Sequence, residues 1–306
     1  MASAAAPAEA ARHRTLLIIG GAEDKLGRSV VLRRFVRLAG GRESHIVLIP
    51  TASSFTDEAV DLYTSVFTRL RAGPDVSVVH PQTRQAAHDP AMVELLDRAT
   101  GIFMTGGSQL KLSQNVVGTP VGDGVRRAYH RGAVVAGTSA GASIMSRFMI
   151  SLGDEGLTPR QRSSQLTAGL GLIEEIVVDQ HFDQRGRYGR LMSLVASSPN
   201  LLGLGIDENT AAEIRDERRL SVVGPGGVFV IDARSAVTDA PDARRGAPLL
   251  VSGAVVHSLP WGATFDLKQA VLVDFVERHP DIEVVVASAA DRPAPTLVPP
   301  RRSSGG

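Results

Sequence analysis

The sequence predicts an α/β domain built on a mostly parallel sheet flanked by helices, with a β-rich C-terminal extension. Three observations predict it. Short apolar runs recur from Arg14 to about Ile206, helical spacing fills the gaps between them, and after Asp207 the pattern turns to glycine-punctuated strands. Strands separated by helices of this length imply βαβ units, and those give parallel pairing.

The runs are TLLIIGG (15–21), HIVLIPTASS (45–54), DVSVVHP (75–81), GIFMTGG (101–107), AVVAGTSAG (133–141), EIVVDQHF (175–182) and LLGLGID (201–207). Between the first two, RSVVLRRFVRLAGG (28–41) carries Val31, Phe35 and Leu38 at helical spacing. DEAVDLYTSVFTRLRAG (57–73) opens on acidic residues and closes on basic ones and glycine, an order that suits the helix dipole and a glycine stop. Beyond Asp207, AAEIRD, RLSVVGPGGVFVIDA and PLLVSGAVVHSL read as antiparallel strands, and FDLKQAVLVDFVERH (265–279) as a closing helix. One domain is expected over 14–288. It lies between an Ala-rich arm (1–13) and a tail (289–306) rich in Pro, Ser, Arg and Gly, both expected to be disordered.

Composition narrows the function. A chain of 306 residues, 43% hydrophobic and 21% charged, has the balance of an ordinary soluble globular protein with a large core. Lys+Arg (33) and Asp+Glu (32) nearly cancel, which argues against a nucleic-acid surface. The absence of cysteine excludes disulfides, thiolate metal sites and a cysteine nucleophile. The start lacks a basic region followed by an apolar stretch, and no run approaches the roughly 18 apolar residues of a membrane helix. The expectation is a cytoplasmic protein that makes no membrane contact.

In parallel α/β sheets, functional groups collect at the carboxyl ends of the strands. Three ends are rich here: Gly20-Gly21 followed by Ala-Glu-Asp-Lys, Gly106-Gly107 followed by Ser108-Gln109, and Gly137-Thr138-Ser139-Ala140-Gly141. The last fits the G-x-S-x-G nucleophile elbow in the strand–turn–helix setting that pattern needs; the plain alternative is a tight turn. Of the eight histidines, His181 differs in closing an apolar run among polar residues, so it is placed at the same sheet edge as Ser139, as a candidate base. The orienting carboxylate is expected near another strand end. Glu208 fits, with Asp207 and Asp179 as competitors. The order Ser139…His181…Glu208 differs from the Ser, acid, His order of α/β-hydrolases. An oxyanion site needs two N–H donors, here Ala140 and the Gly106-Gly107 pair, for which Gly107 is taken. Arg185, Arg187 and Arg190 follow His181 closely and suggest recognition of carboxylates, against a plain reading as a solvated helix start.

Taken together, GGAEDK (20–25), FMTGGSQLKL (103–112), GTSAGASIM (137–145), DQHFDQRGRYGRL (179–191) and GIDENTA (205–211) resemble the cyanophycinases, a branch of the peptidase E-like serine hydrolases. The motifs cover residues 20–211, about two-thirds of the chain, in the family's order. The resemblance implies a flavodoxin-like fold related to class I glutamine amidotransferases, with serine in place of their cysteine. It implies hydrolysis of cyanophycin, a poly-aspartate carrying arginine on each side chain, to β-Asp-Arg. By motif position Ser139 is the nucleophile, His181 the general base and Glu208 the orienting acid. The same motif match implies that Gln109, Asp179, Gln180, Arg185, Arg187 and Arg190 line the substrate site. The resemblance also implies a homodimer with no cofactor and no metal. For the substrate guanidinium, Asp179 or an acid of Glu23-Asp24 is the expected partner. The alternatives are a peptidase E-like aspartyl dipeptidase and a non-catalytic binding protein.

Overall fold

The computed structural model describes residues 13–74 and 76–275. The first five apolar runs become strands β1 (Thr15–Ile19), β2 (Ile46–Ile49), β3 (Val76–Val78), β4 (Gly101–Met104) and β5 (Val134–Thr138). They pair in parallel in the order β3-β2-β4-β5-β1. Their connections carry α1 (Val30–Leu38), α2 (Thr56–Arg69), α3 (Pro90–Arg98), α4 (Gln109–Val116) and α5 (Pro120–His130).

Successive strand residues point to opposite faces, so each strand feeds two cores. Leu16 and Ile18 join Val47, Ile49 and Ile102 on one side; Leu17 and Ile19 join Ile46, Leu48 and Phe103 on the other. Helices α1 and α2 cover the second face through Phe35, Val36, Tyr63 and Phe67. Helices α3, α4 and α5 cover the first through Leu96, Leu112 and Val125. Burial on both faces is why these strands read as near-continuous apolar runs.

After β5, one turn of helix, α6 (Ala140–Ser143), leads into the hairpin of β6 (Phe148–Gly153) and β7 (Ser164–Ala168). The next two apolar runs depart from expectation. They become β8 (Ile176–Gln180) and β9 (Leu202–Ile206), joined by α7 (Tyr188–Ser197), and they pair with each other in a second sheet. The reason lies at β1: its outer edge is occupied by β10 (Ala211–Arg215), backed by β11 (Arg219–Val223), both antiparallel. Strands β8 and β9 instead continue into β12 (Val228–Asp232). After the short pair β13 (Val237–Thr238) and β14 (Val251–Ser252), β15 (Val255–Leu259) completes the second sheet in the order β15-β12-β9-β8. Under α7 a third core holds Val177, Phe182, Leu191, Val195 and Ile231.

The closing helix expected over 265–279 is corrected to a hairpin, β16 (Ala263–Asp266) and β17 (Val271–Phe275), which extends the first sheet beyond β11. Asp266 Oδ1 accepts the Lys268 and Gln269 N–H groups, both at 3.0 Å, and Ala270 takes φ +51°, so the chain reverses there. Leu267 and Ala270 are buried inside that turn, which places apolar residues at a helix-like interval. Residues 276–279, the arm up to 12 and the tail 289–306 lie outside the described residues. Among the described residues, no helix is long and apolar enough to cross a membrane.

Candidate active site

Ser139 links β5 to α6 with φ +53° and ψ −111°, a conformation that costs a non-glycine residue strain and must be held by its surroundings. The Ser139 N–H donates to the Ile19 carbonyl at 3.1 Å. The flanking glycines permit backbone contact. A Cβ on Gly137 would lie 2.2 Å from the Gly141 carbonyl oxygen, and one on Gly141 2.2 Å from that of Met104. The turn is thus pressed onto β4 and β5, with the serine hydroxyl left at its tip.

His181 directly follows β8, in the other sheet, yet it reaches Ser139. Its N–H donates to the Gly20 carbonyl at 2.7 Å, which fastens the end of β8 to the end of β1. Its Nε2 lies 3.1 Å from Ser139 Oγ, and its Nδ1 lies 2.6 Å from Glu208 Oε1. Gly21 sits beneath the ring: a Cβ there would lie 2.2 Å from His181 Cε1. Of the acids left open by the sequence, Glu208 therefore touches the imidazole. Asp207 turns elsewhere, accepting the Asp183 N–H at 3.1 Å and the Gly227 N–H at 2.9 Å. The Glu208 N–H donates to Gln184 Oε1 at 2.9 Å, which orients the residue.

Burial draws the His181 pKa below the ordinary histidine value. The Glu208 hydrogen bond opposes this, and the charges of Arg185 and Arg187 reinforce it. A base must be neutral to accept a proton. The acid limb of kcat/KM is therefore expected to have its midpoint below the ordinary value of 6.5 and to be flat around neutral pH, read from a pH–rate profile. Glu208→Gln removes a contact that raises the pKa, so the limb moves to still lower pH.

The remaining predicted residues divide into two groups. Gly106 and Gly107 stand against Ser139 and the loop after β2: a Cβ on Gly106 would lie 3.2 Å from Ser139 Cβ, and one on Gly107 2.1 Å from the Ala52 carbonyl oxygen. Ala140 opens α6. The Gln180 carboxamide oxygen is 3.4 Å from Ser139 Oγ, and Arg185 is exposed one turn after His181. Gln109, by contrast, donates to the Ile150 carbonyl at 2.7 Å and ties α4 to β6.

Three of the expected substrate residues hold one another. Asp179, 1% exposed, accepts a forked pair from Arg190, with Nε at 2.6 Å from its Oδ2. Arg187 lies 3.4 Å from the same carboxylate and donates to the Gln180 carbonyl at 2.5 Å. Burial pulls Arg187 down to about 10, which leaves it charged at neutral pH. Of the three arginines, Arg185 is exposed, whereas Arg187 and Arg190 are buried against Asp179. The acids expected to take a guanidinium are likewise engaged. Asp179 is neutralised internally, Asp24 accepts the Leu26, Gly27 and Ser29 N–H groups, and Glu23 is buried against Tyr63, Thr138 and Lys25. Among the described residues, no three His, Cys, Asp or Glu side chains gather as a metal site.

The family model for Peptidase family S51 matches residues 16–222, from β1 to β11. The chain belongs to peptidase family S51. Its similarity to relatives extends past that match. The cyanophycinase of Nostoc sp. is 37% identical over 270 residues, which cover 88% of this chain and 90% of that protein. The cyanophycinase of Geminocystis herdmanii is 36% identical over 256 residues, covering 83% and 94%. The crystal structure of a peptidase from an acI-B1 Actinobacterium superposes with a TM-score of 0.56 at 22% identity, over 83% of this chain and 96% of that one, and shares the fold.

Within this S51 peptidase, Gln184 goes unremarked in the sequence, and Gly21, Thr138 and Glu23 are noted there without the contacts that frame the site. Gly21 seats the imidazole, Gln184 accepts the Glu208 N–H, and Thr138 and Glu23 lie behind Ser139. Their signal is the glycine pair and the GGAEDK run, which invite a reading as ligand contacts when their partners are within the protein.

Proposed function

We propose that this S51 peptidase hydrolyses cyanophycin to β-Asp-Arg, with Ser139 as nucleophile, His181 as general base and Glu208 as its orienting acid. The observation that carries the reading is the unbroken line of contacts from Ser139 Oγ through both imidazole nitrogens to Glu208, in a chain 37% identical to a cyanophycinase over 90% of that protein.

Ser139 Oγ attacks the carbonyl carbon of an aspartyl backbone bond as its proton passes to His181 Nε2. Glu208 accepts from Nδ1–H and stabilises the imidazolium that forms. The carbonyl oxygen, now an anion, is received by the Ala140 and Gly107 N–H groups; losing one such donor typically costs about 100- to 1,000-fold in rate. Collapse expels the amine, which takes its proton from His181 and leaves an ester on Ser139. Water, deprotonated by His181, then frees the carboxylate and restores the serine. Each polymer repeat carries a free carboxylate, which Arg185 binds by charge-assisted hydrogen bonds; its exposure beside His181 supports that role. Gln180 lines the nucleophile, while Arg187 and Arg190 act through Asp179 as the wall behind it. Gln109 holds the hairpin side of the groove.

Purified protein is expected to dissolve insoluble cyanophycin while leaving Asp-X dipeptides nearly untouched, measured as released soluble peptide on each substrate. Rapid cleavage of the dipeptides with none of the polymer would replace this reading with that of an aspartyl dipeptidase.

A further inference from the structure

The segment 20–25, between β1 and α1, touches every strand end that bears a side chain of the proposed triad. The Gly20 carbonyl accepts the His181 N–H at 2.7 Å, and the Gly20 N–H donates to the Thr210 carbonyl at 2.9 Å. The Gly21 carbonyl accepts the N–H of Asn209, the residue after Glu208, at 2.8 Å. The Asp24 N–H donates to the Asn209 side-chain oxygen, also at 2.8 Å. The remaining link is Glu23, 3% exposed. One carboxylate oxygen accepts the Tyr63 hydroxyl and lies 3.0 Å from Lys25 Nζ; the other accepts the hydroxyl of Thr138, immediately before the strained Ser139.

A buried carboxylate is a costly way to fill space, since an apolar group of the same volume is often as stabilising. What the anion supplies is direction. Tyr63 is held between Phe67 and Phe103, and Lys25 caps the solvent side, so the carboxylate is a fixed acceptor. The Thr138 hydroxyl hangs from it, and the backbone at Ser139 is thereby kept from relaxing out of positive φ. We propose that Glu23 is a positioning residue that holds the Ser139 elbow through the Thr138 hydroxyl, a role that rests on Ser139 being the nucleophile.

The test is a pair of substitutions that differ by one hydroxyl. Thr138→Val keeps the β-branched shape and removes the donor, whereas Thr138→Ser restores it. For Thr138→Val, kcat on cyanophycin is expected to fall about tenfold or more, the scale of one hydrogen bond to a charged group, with KM changed less than about twofold; Thr138→Ser recovers most of the rate. Glu23→Gln falls in the same direction, and the double variant falls little further than the worse single one, because the two residues act as one unit. The rate at which diisopropyl fluorophosphate labels Ser139 falls in parallel. Tyr63→Phe removes a second donor from the same carboxylate and gives a smaller fall, so loss of folding in one variant leaves another to decide. A Thr138→Val protein with wild-type kcat and wild-type labelling rate, whatever its thermal stability, overturns the proposal. Failure of the underlying reading shows differently, as undiminished labelling and turnover in Ser139→Ala.

Discussion

Ser139→Ala is expected to lower kcat on cyanophycin by about a million-fold, the scale reached when a serine hydrolase loses its nucleophile. The size of the effect follows from the geometry. Ser139 Oγ is the only heavy atom removed, and its partners are the His181 imidazole at 3.1 Å and Gln180 at 3.4 Å. The elbow glycines and the Ser139 N–H bond to Ile19 are untouched, and alanine is no worse at φ +53° than serine. The variant should therefore fold, bind polymer and retain at most the acceleration that an oxyanion site and binding give without a nucleophile, about 1,000- to 10,000-fold over water. Thermal unfolding and a polymer pull-down check the first two points, and initial rates of soluble peptide release check the third. A loss of less than a hundredfold would place the nucleophile elsewhere.

Glu208→Gln is expected to cost about 10,000-fold in kcat, and Asp207→Asn far less. The amide keeps the shape of the glutamate but cannot counter the charge that His181 gains in the transition state, and it can present an N–H to Nδ1 and favour the wrong tautomer. The neighbouring acid has a different task. Asp207 accepts two backbone N–H groups, and burial raises its pKa, so a neutral asparagine loses one acceptor and little else. The damage at Asp207 belongs in the thermal midpoint, and that at Glu208 in kcat. Comparing both quantities for both variants separates the roles; a larger kcat loss at Asp207 would reverse the assignment.

The parallel half of the fold is legible because β1, β2, β4 and β5 are buried on both faces and cannot be written without runs such as LLII and IVLI. The pairing is less legible. Runs 175–182 and 201–207 have the same character, and only the capture of β1's edge by β10 sends them to a second sheet. The hairpin at 263–275 is hidden by Leu267 and Ala270, buried turn residues that mimic a helical stripe. In the site, the meeting of Ser139, His181 and Glu208 can be anticipated because each closes an apolar run. The choice of Glu208 over Asp207 depends on which side chain turns toward the ring, and no spacing encodes that. The charged residues are only half legible: a sequence shows that Asp179, Arg187, Arg190 and Glu23 are charged, but not that each has an opposite charge beside it inside the protein.

The most direct test of the account is the identity of the soluble product when purified protein acts on insoluble cyanophycin, read by mass spectrometry. Cleavage of the aspartyl backbone by Ser139 predicts the intact β-Asp-Arg dipeptide. Free arginine, which would mean attack on the side-chain linkage, or an undissolved polymer would contradict it.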